Sequence, residues 1–399
     1  MRAVRVLVHL NNLALGGAQL NAVDIARTLR ARGHDPVLFA QGVAGPAPLV
    51  DVAAGHGLEV VVAGDPDTPH REVRRRLGRL AAEHGTEVLH AWEVRAARNS
   101  FFGPGRLGRI PVVTTFYGIR MLRGLPRHQP LVLGLGALMG DGRAFGHHDV
   151  RLIEPPVNTG TDAPGVVDGA AFRHRHGVAD DELLLAIVTR LVPDLEKDAG
   201  AALTLEAVRL LDDPRIRLAV VGTGPSLDRL RAQAASVNRE LGREAVLVPG
   251  QLADPRPAYQ GADLVLGMGG SALRGLAFAK PVIVHGAAGY TAVHEPGPLV
   301  EPHASRCMYG FGDGSRSPKA LAGQIQQLLD DPRRRAELGA WGREWVVGRF
   351  SLESVTTAFE QIYLEVLGAR SGRARWWRDL EQMARYEYTK PTALRLFGR

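Results

Sequence analysis

The chain has 399 residues, of which 45% are hydrophobic and 23% charged, and its formal net charge is +7. This length exceeds what one hydrophobic core usually holds, so two domains are expected, and the composition excludes a disordered or fibrous protein. The single cysteine, Cys307, excludes an intramolecular disulfide framework and a thiolate metal cage. No uninterrupted apolar stretch of about 18 residues occurs, and the first residues predict a core strand rather than a signal peptide or a spanning helix.

The first half of the sequence alternates short apolar runs with amphipathic segments, which is typical of a parallel α/β sheet. Helices are predicted over 18–32 and 71–84, the second of them rich in arginine. Strands are predicted over 4–10, 35–40, 58–62, 88–91 and 111–115. These elements indicate one doubly wound domain.

The same alternation begins again after a segment rich in proline and glycine at 154–165. Strands are predicted over 183–189, 217–221, 245–249, 263–267 and 281–285. We therefore expect an amino-terminal domain over 1–157 and a carboxy-terminal domain over 158–350. A last helix and a basic, aromatic tail, 351–399, are expected to pack back on the first domain.

The positive charge is compatible with nucleic acid, anionic lipid or phosphorylated small substrates. The sequence lacks zinc-finger spacing, an RNP-like aromatic motif and a long lysine run, so nucleic acid is not an expected partner. We expect a cytoplasmic protein. Weak peripheral contact with a membrane is left open by the arginines of 71–79 and by the tail, although such faces are more often simply solvated.

A glycine turn connects the first strand to the first helix. Gly16 and Gly17 place backbone N–H groups and a helix N-terminus where an anion would be favoured, and Gln19 follows in the first helical turn. A tight strand-to-helix connection requires the same glycines for purely structural reasons. The position of the turn at the end of a strand favours ligand binding.

Two cations follow the first strand of the second domain. Arg190 ends this strand and Lys197 follows seven residues later. Ligands of open α/β sheets bind beyond the carboxyl ends of the strands, and a departing diphosphate needs cations there because negative charge develops on it. The alternative is a solvated pair at a strand end.

Two further glycine segments follow strands of the second domain. Gly222 and Gly224 form a turn that lets the backbone approach a ligand. The loop Met268, Gly269, Gly270, Ser271 precedes a helix that carries Arg274, and its backbone is suited to phosphate oxygens. A buried turn beneath the next helix is the structural alternative.

Polar residues at strand ends of the first domain are candidates for contact with an acceptor. His90 and Glu93 are suited to binding hydroxyl groups or assisting proton transfer, although a lone histidine at a strand end is more often structural. Asn11, Asn12 and Gln19 carry amide side chains that are suited to hydroxyl recognition, so they are expected to contact the acceptor. Asp65 and Asp67 match a metal-binding DxD pattern but lie in a predicted turn, so no metal or other cofactor is expected.

In the order and placement of these motifs, the sequence resembles the family 4 glycosyltransferases over roughly residues 4 to 365. The motifs are GGAQ, RLVPDLEK, VVGTGP and DPRPAYQGADLVLGMGGSALRGLAFAKPVIV. The resemblance implies the GT-B fold, two Rossmann-like domains facing each other across a cleft. It also implies a retaining, metal-independent transferase that uses a nucleotide diphosphate sugar. By position, Arg190 and Lys197 correspond to the cationic pair on the diphosphate, and Gly17 to the glycine that approaches it from the first domain.

The sequence departs from the family pattern at three places. The usual pair of glutamates is missing, and Arg274 stands where the second, a ribose ligand, is expected. The spacing from Arg190 to Lys197 is one residue longer than expected. A histidine that often follows the amino-domain strand is absent, and Tyr117 is expected to take its place near the acceptor.

The expected function is transfer of a hexose-like unit from a UDP- or GDP-sugar to a hydroxyl group of a small natural product or a cell-envelope glycan precursor. Two alternatives remain open. One is a nucleotide-sugar epimerase of the same fold, and the other is a nucleotide-sugar-binding protein without turnover.

Overall fold

The computed structural model describes residues 2–14, 16–118, 120–193, 196–286, 289–297, 317–369 and 372–389. The chain forms two compact units. Unit 1 comprises Met1–Pro155 and Leu352–Arg399, and unit 2 comprises Pro156–Ser351. The boundaries predicted after residues 157 and 350 lie close to these transitions. Cys307 lies outside the described residues.

The amino-terminal segment of unit 1 alternates strands and helices. Its elements are β1 (Arg5–Leu10), α1 (Gly17–Ala31), β2 (Asp35–Ala40), α2 (Pro48–Gly55), β3 (Val60–Val62), α3 (His70–Glu83), β4 (Val88–Trp92), α4 (Glu93–Phe102), β5 (Val112–Phe116), β6 (Leu131–Leu133), α5 (Met139–Ala144) and β7 (Val150–Leu152).

The strands of unit 1 pair in parallel in the order β3-β2-β1-β4-β5-β6-β7. The chain therefore builds the sheet outward from β1 in one direction and then from β4 in the other. Such a reversal opens a crevice at the carboxyl ends of the two central strands. In unit 1 this point lies between β1 and β4.

Unit 2 repeats this plan. Its elements are α6 (Gly169–Arg175), β8 (Leu183–Val188), α7 (Lys197–Leu211), β9 (Ile216–Val221), α8 (Leu227–Leu241), β10 (Val246–Gly250), α9 (Arg256–Gly261), β11 (Leu264–Gly267), α10 (Gly270–Ala277), β12 (Val282–His285), β13 (Thr291–Val293), α11 (Pro318–Leu329) and α12 (Pro332–Phe350).

The strand order in unit 2 is β10-β9-β8-β11-β12-β13. All these pairings are parallel except that of β12 with β13. The reversal lies between β8 and β11. Separate clusters of buried apolar side chains cover the two faces of this sheet, so its strands are hydrophobic along their whole length.

Helix ends in unit 2 follow the chemistry of their sequences. Ser317 accepts a hydrogen bond from the N–H of Ala320 at the start of α11, and Asp331 accepts one from the N–H of Arg334 at the start of α12. Proline occupies the first helical position of both, where its missing N–H costs nothing. The cap at Asp331 and the proline after it allow α12 to begin at Pro332, shortly after α11 ends at Leu329.

The chain returns to unit 1 in α13 (Leu352–Gly368) and α14 (Gly372–Thr389). Phe359 and Tyr363 of α13 are fully buried in the same apolar cluster as strands β1 and β2 and helix α1. In α14, the Trp376 ring stacks on Phe101 and its indole N–H donates to the Phe101 carbonyl oxygen at 3.2 Å. Both helices are therefore parts of the first domain's structure.

A buried carboxylate fixes the position of α14. Asp379 has a fully buried side chain, and its Oδ1 accepts hydrogen bonds from the backbone N–H groups of Arg127 at 2.8 Å and His128 at 3.1 Å. The His128 ring lies 2.8 Å from the same oxygen. This helix was not predicted, because the sequence offered only a basic and aromatic tail there.

The predicted α/β architecture is confirmed. The expected strands agree with observed ones within one or two residues at each end; these are β1, β2, β4, β5, β8, β9, β10, β11 and β12. The three-residue strands β6, β7 and β13 were missed, since so short a run carries no periodicity. Within the described ranges, no helix combines the length and apolarity needed to cross a membrane.

Candidate active site

The reversal point of unit 2 brings two of the predicted ligand-binding segments together. Arg190 lies two residues beyond the end of β8, and the loop from Met268 to Ser271 follows β11, the neighbouring strand. Both segments therefore lie at the carboxyl edge of the sheet, at the crevice where ligands of open α/β sheets bind. The sequence predicted this placement.

Arg190 is an exposed cation at this edge. Its side chain has no ion pair or hydrogen bond with any residue that the structure describes. The adjacent backbone is firmly held, since the N–H of Thr189 donates to Val221 O at 3.0 Å and that of Leu191 donates to Thr223 O at 2.9 Å. Among the described residues, Arg190 is thus a positive charge without an acidic partner, carried by a backbone that hydrogen bonds hold in place. Lys197 is the first residue of α7 and is half-buried.

Gly222 and Gly224 hold the segment that carries Arg190. Their φ angles are +149° and +153°, which only glycine adopts readily. A side chain at either position would clash with the carbonyl oxygen of Thr189 or Leu191, respectively. The structure therefore gives this turn a role as support for the Arg190 backbone, while direct contact with a donor remains a prediction.

The loop after β11 is joined to the end of β8. Met268 and Gly269 are buried, and Gly270 begins α10, with no atom near the position that a Cβ would take. The Ser271 hydroxyl donates to the carbonyl oxygen of Val188. Because of this bond, the helix N-terminus and the Arg190 segment are held in one local structure.

Arg274, unlike Arg190, has a partner. Its Nε lies 3.3 Å from Oδ2 of Asp162, whose side chain is only 8% exposed. Burial raises the pKa of the Asp162 carboxyl, and the Arg274 charge partly opposes this shift. The charge of Arg274 is therefore partly neutralised within unit 2. Sequence reasoning missed Asp162, because it lies in a turn-rich segment more than one hundred residues away.

The reversal point of unit 1 gathers the amide side chains that were predicted to contact an acceptor. Asn12 Oδ1 accepts hydrogen bonds from Gln19 Nε2 and from the N–H of Ala14, both at 3.1 Å. The buried Oδ1 of Asn11 accepts no hydrogen bond from a described residue. Gly16 is the N-cap of α1, and Gly17 begins it with open space where a Cβ would lie. Beyond β1 the chain thus places an amide oxygen without a partner among the described residues and, a few residues later, the N-terminus of α1.

Glu93 lies beyond β4, on the other side of this reversal point, in an uncommon conformation. Its φ angle is +72°, which non-glycine residues seldom adopt. The carboxylate accepts a hydrogen bond from the N–H of Tyr117 at 3.0 Å. Burial raises the pKa of Glu93, and the hydrogen bond from Tyr117 lowers it less. Strained backbone of this kind often marks a functional position.

His90 does not join Glu93 at the strand end. Its side chain is 1% exposed, and its Nδ1 lies 2.6 Å from the Tyr363 hydroxyl and its Nε2 2.7 Å from Thr115 Oγ1. Burial lowers its pKa to about 3, so the ring is neutral. Both nitrogens are therefore used inside the core of unit 1, which favours the structural alternative for this residue.

Buried neutral histidines predict that the protein loses stability in mild acid. Burial lowers the pKa of His9 and His90 to about 3 and that of His285 and His294 to about 4, against about 6.5 in an unfolded chain. Unfolding therefore takes up protons as the pH falls below about 6.5. Each such histidine lowers the free energy of unfolding by up to about 1.4 kcal/mol per pH unit in that range.

Urea denaturation at about pH 7 and about pH 5 measures this slope. The His90→Leu variant serves as the control, because its pH slope should be smaller by about one proton. A free energy of unfolding that is the same at both values would contradict the prediction.

Metal ligands do not cluster in the described part of the chain, where no three His, Cys, Asp or Glu side chains lie close enough to share an ion. Asp65 and Asp67 of the DxD pattern are exposed residues between β3 and α3.

Comparison with known proteins identifies the class. Residues 183–331 match the family model described as glycosyl transferases group 1. A solved glycosyltransferase from Rickettsia africae has 14% sequence identity and a TM-score of 0.74, over 92% of this chain and 100% of that one. The fold of this protein is thus GT-B, and the protein is a glycosyltransferase.

Curated relatives agree with this class. The GDP-mannose-dependent alpha-(1-6)-phosphatidylinositol monomannoside mannosyltransferase of Mycolicibacterium smegmatis is 26% identical, over 79% of this chain and 86% of its own. The D-inositol 3-phosphate glycosyltransferase of Thermobispora bispora is 29% identical, over 88% of this chain and 90% of its own. The matched family model and these relatives are consistent with the resemblance to the family 4 glycosyltransferases.

Proposed function

We propose that this glycosyltransferase moves a sugar from a nucleotide diphosphate sugar, with UDP or GDP as the nucleotide, to an acceptor hydroxyl, and that it does so with retention at the anomeric carbon. The observation that carries the proposal is the exposed charge of Arg190, which has no partner among the described residues, at the same edge of the sheet as the helix N-terminus at Gly270. Both lie at the reversal point of one sheet, where a ligand of this fold class is expected.

The chemistry of the donor fits these groups. Negative charge builds on the diphosphate as the glycosidic bond breaks, and cations that are already in position stabilise that charge most effectively. Arg190 provides one such cation, Lys197 is proposed as the second, and the N–H groups at the start of α10 add their dipole. The retaining outcome rests on the family resemblance, in which the leaving phosphate assists the acceptor hydroxyl.

The acceptor is proposed to contact unit 1. Asn11 offers a buried amide oxygen without a partner among the described residues, and Glu93 offers a partly buried carboxylate. Both are suited to accepting hydrogen bonds from hydroxyl groups. The two relatives are named for acceptors that contain inositol, one a phosphatidylinositol lipid and the other an inositol phosphate, which supports an inositol-containing acceptor.

A weak contact with the membrane surface is part of the proposal. In α14, Arg373, Arg375 and Arg378 are exposed, and the Trp377 side chain is 53% exposed. Arginine and tryptophan side chains together are suited to the interface of an anionic bilayer. Such contact would bring unit 1 close to a lipid-linked acceptor.

Ligand binding tests the donor part of the proposal. Thermal unfolding is measured with UDP, GDP, dTDP and ADP and with their sugar conjugates. Each measurement is made once with magnesium ions in the buffer and once with EDTA instead. We expect one nucleotide class to raise the melting temperature equally in both solutions, because a ligand that binds only the native state stabilises it. No shift with any nucleotide, or a shift that EDTA abolishes, would contradict a metal-independent nucleotide-sugar enzyme.

Turnover separates transfer from its alternatives. The stabilising nucleotide sugar is incubated with phosphatidylinositol in anionic vesicles or with an inositol phosphate in solution, and the product is analysed by NMR. An α-linked product from an α-linked donor supports retaining transfer. Conversion of the donor sugar to its epimer without an acceptor would identify an epimerase, and binding without any reaction would identify a non-catalytic protein.

A further inference from the structure

A cavity lies in unit 1 at the amino edge of its sheet, opposite the crevice at the reversal point. Its volume is about 590 Å³, within the range of about 300 to 1,000 Å³ that is usual for small-ligand sites. The wall includes 86–87, 107–112 and 128–130, at the starts of β4, β5 and β6, and parts of α13 and α14. Strand β4 has five residues, so about 16 Å separate the cavity from Glu93 at the other edge.

Aliphatic side chains form much of the cavity wall. Leu107 and Ile110 come from the turn before β5, and Val366 and Leu367 come from the end of α13. All four are only half-buried, so the protein leaves part of their apolar surface uncovered. A ligand that covers this surface gains free energy by removing it from water.

Leu107 reaches this wall from an uncommon backbone conformation. Its φ angle is +59°, in the left-handed region that a bulky residue seldom adopts. The side chain also packs against the apolar cluster of Phe101, Trp376 and Met383. The strained turn thus places an aliphatic side chain between a packed core and the cavity.

The rings in the wall are already engaged by the protein. Trp376 stacks on Phe101 with a centroid distance of 5.5 Å, and its side chain is only 5% exposed. The His128 ring packs on His148 at 4.5 Å, and its Nδ1 lies 2.8 Å from Asp379 Oδ1. The wall therefore suits an aliphatic chain better than a planar base, which needs a free aromatic face.

Three arginines give the cavity a positive charge. Arg109, Arg373 and Arg375 line it with exposed side chains, and none has an acidic partner among the described residues. Glu87, a carboxylate in the wall, is already ion-paired with Arg2, which is not a lining residue. The potential at the cavity therefore favours an anion.

We propose that this cavity binds a single alkyl or acyl chain that ends in an anionic group such as a phosphate. The chain lies against the aliphatic wall, and the anionic group lies among Arg109, Arg373 and Arg375. Such a ligand comes either from an amphiphile free in solution or from an anionic lipid of a membrane. The site goes beyond the proposed function, which assigns neither donor nor acceptor to this edge of the sheet.

Binding of alkyl phosphates to the full chain tests the proposal. Dissociation constants are measured by calorimetry for inorganic phosphate and for hexyl, octyl and decyl phosphate, below the concentrations at which they form micelles. We expect the affinity to rise by up to about fourfold with each added methylene, because each one leaves water. Decyltrimethylammonium has the same chain and the opposite charge, and it should bind about tenfold more weakly or worse than decyl phosphate.

Variants locate the ligand. Arg109→Glu reverses a charge in the wall, and Ala369→Trp adds a ring at an exposed lining position, so each should weaken decyl phosphate binding by about tenfold or more. Arg106→Glu is the matched control, because Arg106 is exposed in the same turn but does not line the cavity. All three variants should keep the melting temperature of the wild type, since these side chains are exposed.

Three outcomes would overturn the proposal. The first is equal affinity for inorganic phosphate and decyl phosphate, or no binding of decyl phosphate at all. The second is equal weakening in Arg106→Glu and Arg109→Glu, which would mean that binding follows net charge. The third is unchanged binding in both Arg109→Glu and Ala369→Trp, which would place the ligand elsewhere.

Flotation with phosphatidylglycerol vesicles separates the two sources of the ligand. Flotation that Arg109→Glu loses and Arg106→Glu retains assigns the site to a membrane lipid, and equal flotation of both variants assigns it to a free amphiphile. The result is independent of the donor proposal. Any nucleotide that stabilises the wild type should stabilise Arg109→Glu equally, because Arg109 lies in unit 1 and the diphosphate site is proposed in unit 2.

Discussion

Replacing Arg190 with alanine is expected to lower the rate of sugar transfer by about 10²- to 10³-fold, the usual cost of removing one group that stabilises transition-state charge. The side chain is exposed and has no partner among the described residues, so the fold does not depend on it. The free energy of unfolding should therefore change by no more than about 0.5 kcal/mol. Initial rates with saturating donor and acceptor, together with chemical denaturation, measure both quantities.

Arg239→Ala is the matched control for this experiment. Arg239 is also an exposed arginine of unit 2, but it lies near the carboxyl end of α8. Its removal should leave the rate unchanged. Near-normal turnover by a folded Arg190→Ala variant would remove Arg190 from the site, and a large loss of rate in both variants would point to net charge rather than to position.

Replacing Gly222 with alanine is expected to destabilise unit 2 by about 3 kcal/mol or more. The φ angle of +149° is unfavourable for alanine, and the added Cβ would overlap the carbonyl oxygen of Thr189. Relief of this clash must displace the backbone that carries Arg190. Activity should therefore fall together with stability, although residue 222 itself is given no chemical role.

Chemical denaturation, monitored by circular dichroism, tests this prediction. The control is a variant that is expected to gain stability rather than lose it. Gly323 lies inside α11 with no atom within 4 Å of the position that a Cβ would take, so Gly323→Ala should stabilise the helix by up to about 1 kcal/mol. A Gly222→Ala variant as stable as the wild type would mean that the turn relaxes freely and does not support Arg190.

Much of the fold was accessible from the sequence, because parallel strands buried on both faces form continuous apolar runs. The runs at β8 and β9, each followed by glycine or arginine and then an amphipathic helix, needed no tertiary information. The helix α14 was different. Its position depends on the buried Asp379 and its contacts with the backbone at Arg127 and His128, far away in sequence.

The site was predictable only where position along a strand determines it. Arg190, Glu93 and the loop after β11 lie beyond strand ends, and the sequence identified all three as candidates. His90 lies within β4, whose residues are all buried, so the strand shows no alternation of buried and exposed positions. The sequence therefore did not indicate whether the His90 side chain lies in the core or at the edge of the sheet. The partners of Arg274 and Gly222 are also distant in sequence, and only the folded chain reveals them.

The return of α13 to unit 1 has a consequence for how the protein is made. Unit 2 is one continuous stretch of chain, whereas unit 1 is assembled from two stretches separated by it. Phe359 and Tyr363 complete the apolar core that β1 and α1 begin. During synthesis on the ribosome, unit 2 can therefore fold as soon as it has emerged. Unit 1 cannot complete its hydrophobic core until α13, near the end of the chain, has also been synthesised.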